Sequence, residues 1–182
     1  MMTFLNFKTF TLSSLILLSS TMTIFADSTL NMKAAKAILN PTQGNHVSGV
    51  VTFTQVPQGI KVIVDIKGLS LGNHGFHIHE FGDCSAPDAI SAGGHFNPTH
   101  TTHGSPNTDA HHAGDFGNLM VNDNSTGEVH EEFISHSISL SGDNTILGHG
   151  LIVHANEDDL HSQPTGNSGA RVACGIIGTM KP

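Results

Sequence analysis

Hydrophobic and polar residues alternate with a period of two along much of the chain beyond residue 32. In GIKVIVDIKGL, Ile60, Val62, Val64 and Ile66 fall on one side, and Lys61, Ile63, Asp65 and Lys67 on the other. That period predicts a strand with one buried face. VVTFTQV (50–56) precedes it across a Pro-Gln-Gly turn, so the two predict a hairpin. KAAKAILN (33–40) has the propensity of a short helix, but its all-β surroundings favour an opening strand. HGFHIHE (74–80), NLMVN (118–122), EVHEEFISHSISL (128–140), HGLIVHA (149–155) and VACGIIG (172–178) read as further strands. NDNSTG (122–127) and SGDN (141–144) are turn-rich connectors. Seven or eight short strands without a convincing helix predict an all-β sandwich or Greek-key barrel.

Two segments have no strand period: Gly82–Phe116, with Pro87, Pro98, Pro106 and five histidines, and Asn156–Ala170. Loops this long in a compact domain usually carry function. The chain has 182 residues, enough for one domain with a substantial core. Residues 1–26 carry Lys8, an apolar stretch around Leu15–Leu18 and the ending IFA, which reads as a secretory signal cut after Ala26. The alternative is a retained membrane anchor. Cleavage leaves a domain over 27–182 and moves the formal charge from −8 to −9. An acidic chain without basic runs argues against nucleic acid and anionic membrane surfaces as partners. In an oxidising compartment the pair Cys84 and Cys174 favours one disulfide over two free thiols. NST (124–126) has the form of a glycosylation acceptor, which carries no weight in a bacterium.

Fourteen histidines against seven lysines and arginines turn attention to metal binding. On a strand His77 and His79 share a face while Ile78 points to packing, and two imidazoles on a rigid strand suit copper or zinc. Taken alone, the pair is as well explained by surface histidines. The first long loop adds His95, His103, His112 and Asp115, a full tetrahedral set for zinc. His100 and His111 read as solvated loop histidines. His154 lies on a strand-like run that could face the first pair. Asp158 is a candidate acceptor for the second N–H of a ligating histidine. Arg171, the one arginine, is a permanent donor fork suited to a small anion.

The motifs GFHIHEFGD, GGHFNP, HGSP, HAGDFGN, GLIVH–DDL and GNSGARVACGIIG, in that order over about residues 33–180, resemble copper/zinc superoxide dismutases. The resemblance implies an eight-stranded Greek-key barrel, immunoglobulin-like in its sandwich character, with two long functional loops. It implies copper on His77, His79, His95 and His154, and zinc on His95, His103, His112 and Asp115. His95 would bridge the two as an imidazolate. Asp158 would link ligands of both metals, Arg171 would orient the anion, and Cys84–Cys174 would tie the first loop to the barrel. The implied reaction is dismutation of superoxide to dioxygen and hydrogen peroxide by a copper that is alternately reduced and reoxidised, with His95 taking up and returning a proton. Two divalent metals, less one imidazolate and one carboxylate, would leave about +2 of local charge to draw an anion to an acidic protein.

The second loop, HSQPTGNSGA, has no lysine, unlike animal and fungal members, which leaves Lys61 or Lys67 to steer substrate. GDCSAPDAISAGGHFNP and the export signal resemble the bacterial periplasmic branch, so the expected location is the periplasm, with secretion as the alternative. The chain has no Trp or Tyr to mark a contact between copies, and a homodimer stays open. Two other readings compete. An exported copper/zinc buffer without turnover would need neither a bridge between unlike metals nor an anion-orienting arginine. A zinc hydrolase would need an open zinc position, and four protein ligands close this one.

Overall fold

A computed structural model describes residues 33–122 and 126–180. The signal segment and Asn124 of the NST triplet lie outside the described residues. Eight strands form one antiparallel sheet: β1 (Ala34–Pro41), β2 (Ser48–Val56), β3 (Gly59–Lys67), β4 (Gly72–His79), β5 (Asp115–Val121), β6 (Val129–Ser135), β7 (Gly150–His154) and β8 (Arg171–Thr179). The spatial order is β5-β4-β7-β8-β1-β2-β3-β6. The two edge strands, β5 and β6, approach each other and nearly close the sheet into a barrel. Rings of Phe76, Phe116 and Phe133 stack across that seam, with centroids 5.5 and 5.3 Å apart. This is the all-β, eight-stranded architecture that the period-two pattern predicts.

The alternation in β3 sorts as expected: Ile60, Val62, Val64 and Ile66 are buried, while Asp65 and Lys67 are exposed. The 33–40 segment is a strand. β1 pairs with β2 on one side and β8 on the other, burying Ala35, Ala37 and Leu39. Two ladders and a buried face outweigh its intrinsic helix preference. The 128–140 expectation shortens to Val129–Ser135. Beyond it the apolar residues Ile138, Leu140 and Ile146 are buried with the barrel core, outside the ladder. Their alternation came from packing, which sequence period cannot separate from strand pairing.

β4 and β7 differ from the other strands. Every residue from His74 to His79 is buried, as is all of β7. One face, with Phe76, Ile78, Leu151 and Val153, joins the barrel core. The other face bears His77, His79 and His154, and the loops cover it.

Candidate metal centre

Strand β4 sets His77 and His79 on one face, and β7 sets His154 beside them through the Phe76↔Val153 to His79↔Gly150 register. His95 reaches the same place from the first long loop, through an isolated bridge between His79 and His95. The ligand atoms of His77, His79, His95 and His154 lie within 4.8 Å of one another, and so do those of His95, His103, His112 and Asp115. All seven residues are buried. Both sets are the ones that the sequence singled out, and His95 belongs to both. His100 and His161 are exposed and belong to neither set. His111 also stays outside; its Nδ1 lies 2.7 Å from the His112 carbonyl oxygen.

The hydrogen bonds show which ring nitrogens are available. His79 Nδ1 donates to the Gly93 carbonyl at 3.0 Å, and His154 Nδ1 to the Gly169 carbonyl at 3.2 Å. Each ring therefore turns Nε2 inward, and these two atoms are 3.3 Å apart. Burial holds His79 well below the usual histidine range and lowers His154 to about 3, so both rings are neutral and two lone pairs face each other. Such a contact calls for a cation between them. Nδ1 of His77, Nε2 of His95 and Nδ1 of His103 and His112 are buried without a hydrogen-bond partner, the last two lying 3.1 and 3.4 Å from the Asp115 carboxylate outside hydrogen-bond geometry. Buried polar atoms are normally paired. Four orphaned imidazole nitrogens directed into two clusters, with one carboxylate, are a donor set that fits two borderline divalent metals.

His95 presents one nitrogen to each cluster. Its Nδ1 lies 2.7 Å from Asp115 Oδ1 and its Nε2 is unpartnered. Burial lowers it to about 4 against the opposing pull of Asp115. Burial would also raise Asp115, but the close approach of the His103 and His112 rings, at 3.1 and 3.4 Å, and the hydrogen bond from His95 hold its carboxyl far below the carboxylate range. His103 behaves in the opposite sense. Burial works against its charge, yet the Asp115 carboxylate 3.1 Å from its Nδ1 and the bond from its Nε2 to Asp158 raise it to about 9.

Asp158 joins the two sides. Its carboxylate accepts from His77 Nε2 at 2.7 Å and from His103 Nε2 at 2.9 Å, and it is 1% exposed. Sequence reasoning missed the group that holds it. The Asn118 carboxamide accepts from the Asp158 N–H at 2.7 Å and donates to its carbonyl at 2.9 Å. It missed His74 as well, a buried ring between the His154 carbonyl (2.9 Å) and the Ser70 carbonyl (3.0 Å). Neither had a local signal, because each acts on a residue at least 40 positions away.

Arg171 opens β8 opposite His154. Its guanidinium donates to the carbonyls of Ala89 (2.5 Å) and Gly93 (2.6 Å). Gly93 thus holds both the arginine and His79. Cys84 and Cys174 form the disulfide, which fastens this carbonyl-bearing loop to β8. Lys61 pairs with Glu132 at 3.5 Å on the outer face of the sheet, and Lys67 lines a groove with Asp65, Glu128 and His130.

The profile described as "Copper/zinc superoxide dismutase (SODC)" matches residues 47–177. The chain is 40% identical over 166 residues to an extracellular superoxide dismutase [Cu-Zn] of Brugia pahangi, covering 86% of this chain and 81% of that protein. It is 49% identical to superoxide dismutase [Cu-Zn] 4 of Dictyostelium discoideum over 143 residues, covering 74% and 93%. It is 43% identical to an extracellular superoxide dismutase [Cu-Zn] of Drosophila melanogaster over 165 residues, covering 84% and 90%. Among solved structures it resembles the clock protein EA4, at 39% identity and TM-score 0.75, covering 82% of this chain and 96% of that one. These relatives give no support to the expected bacterial periplasmic branch. The features that suggested it were the export signal and the GDCSAPDAISAGGHFNP segment, and an export signal marks secretion without marking lineage.

Proposed function

The chain belongs to the copper/zinc superoxide dismutase family, and from that premise we propose that it converts superoxide and protons to dioxygen and hydrogen peroxide. Copper would be held by His77, His79, His95 and His154, and zinc by His95, His103, His112 and Asp115. The observation that carries this reading is the single His95 ring, which offers a different nitrogen to each cluster. When bound, copper supplies the one-electron chemistry, and zinc is a redox-silent cation that makes the shared imidazole easier to deprotonate.

The protein groups have separate tasks. His95 would hold both metals, and its Nε2, which has no partner within the protein, is the atom that would take up a proton and return it toward peroxide. Asp158 fixes the outer nitrogens of His77 and His103, so neither ring can turn while His95 changes state. Arg171 is held by two carbonyls and has N–H donors left to orient a small anion. Burial of the cluster limits competing water. We further propose that residues 1–26 are removed and the mature domain 27–182 is secreted. The extracellular relatives and the Cys84–Cys174 bond support that location.

Metal analysis with a xanthine-oxidase competition assay tests the activity. The copper- and zinc-loaded protein should dismute superoxide and the zinc-only protein should not. Copper bound without turnover would instead describe a metal buffer. Arg171→Glu should keep its copper, slow turnover by about tenfold and reverse its dependence on salt. Loss of copper in that variant would assign the arginine a structural role.

A further inference from the structure

We propose that Gln163 is a positioning residue for His103 and makes the second long loop a latch on the zinc side. This rests on the assignment of His103 as a zinc ligand. His103 lies in the loop, outside every strand. Its N–H donates to Gln163 Oε1 at 2.9 Å, and Gln163 Nε2 donates to the His103 carbonyl at 2.9 Å and to the His161 carbonyl at 3.2 Å. Among the described residues, Gln163 is the hydrogen-bond partner of both backbone groups of His103. The other loop histidines of the cluster are anchored differently. His95 shares a bridge with His79, and the His112 N–H is tied to Asp115 Oδ2 at 2.8 Å.

The turn that presents Gln163 is itself closed. Gly166 N–H donates to the Ser162 carbonyl at 2.7 Å, and Asn167 Nδ2 donates to Ser162 Oγ at 2.8 Å and Asp159 Oδ2 at 3.1 Å. Gly166, at φ 68°, lies against Asp158 and His103, where a side chain would run into both. Asn118 grips the Asp158 backbone in the same two-point manner. The His103–Asp158 link is thus held at each end by a carboxamide. With Gln163 released, the His103 segment loses its backbone tether and the zinc-side ring can leave.

The test follows zinc transfer from the copper- and zinc-loaded protein to a chromophoric chelator. Gln163→Met keeps the side-chain length and removes all three side-chain bonds, including both to His103. Gln163→Glu keeps the acceptor for the His103 N–H and loses the donor. Zinc should leave the Met variant about tenfold faster than wild type, with the Glu variant between them. The visible spectrum of cobalt placed at the zinc side should broaden in the same order, while copper retention and the copper spectrum stay unchanged. Wild-type zinc release from the Met variant would overturn the proposal alone. So would equal acceleration of copper loss, which would mean general loosening. A wild-type protein that binds no zinc would overturn the ligand assignment and this inference with it.

Discussion

The two sides of the centre are built from different material. On the copper side, three of four histidines, His77, His79 and His154, stand on the adjacent strands β4 and β7, flanked in the sheet by β5 and β8. Their neighbours pack into the barrel core, and their outer nitrogens rest on Asp158 and two backbone carbonyls. On the zinc side, His95, His103 and His112 come from a loop, and only Asp115 sits on a strand, as its first residue. A strand fixes its side chains through the ladder. A loop must be fixed by particular contacts: the disulfide, the Asn118 and Gln163 carboxamides, and the close approach at Gly114, where a side chain would strike the Ile78 carbonyl. The copper side should therefore be robust and the zinc side conditional. The shared ring and Asp158 are the places where that division breaks down.

The largest effect should come from cutting the loop's covalent anchor. The bridge spans 90 residues, and closing such a loop is worth about 4.6 kcal/mol in the unfolded state. Reducing it, or Cys84→Ser, should lower unfolding stability by several kcal/mol in denaturant titration and free the Ala89 and Gly93 carbonyls that hold Arg171. A stability loss with unchanged turnover would show that Arg171 does not need the loop. Next come single ligands. His79→Ala should lower dismutation by about 100-fold, with copper lost, whereas His112→Ala should keep copper and lose zinc, with a smaller fall in activity. Equal losses in both variants would erase the distinction between the sides.

Asp158→Asn acts across the division. It should weaken both metals, by about 10- to 100-fold in affinity measured by competition with a chelator. Loss of zinc alone would mean that His77 needs no support. The smallest effect is one of order. Protons compete with metal for imidazole, and competition begins as pH falls through a ring's own pKa. That point is about 9 for His103, about 4 for His95 and about 3 for His154. On acid titration zinc should leave at a higher pH than copper. Metal content of dialysed samples checks this, and simultaneous release would make the two sides one unit.

Most of the barrel was legible because a strand writes its buried face into the sequence every second residue, as in Ile60, Val62, Val64 and Ile66. β6 was drawn too long because Ile138 and Leu140 keep that period while packing outside the ladder. The candidate ligands could also be named in advance, since His77 and His79 share a strand face and the loop supplies a complete donor set. The bacterial branch found no support among the relatives, for a different reason. An export signal reports on secretion, which distant lineages share, and one loop segment, GDCSAPDAISAGGHFNP, is too short to carry a lineage.

By itself the sequence determined which residues could bury, which could bond a metal, and that two cysteines could cross-link. Those properties belong to the side chains and to a local period. Only the tertiary structure decided which nitrogen of His95 meets which cluster, and that His79 and His154 turn lone pairs toward each other. It also decided that Asn118 and Gln163 reach across 40 and 60 residues to hold Asp158 and His103. Such contacts depend on chain closure over long separations, and no local pattern of residue types records where a distant carbonyl or amide will lie.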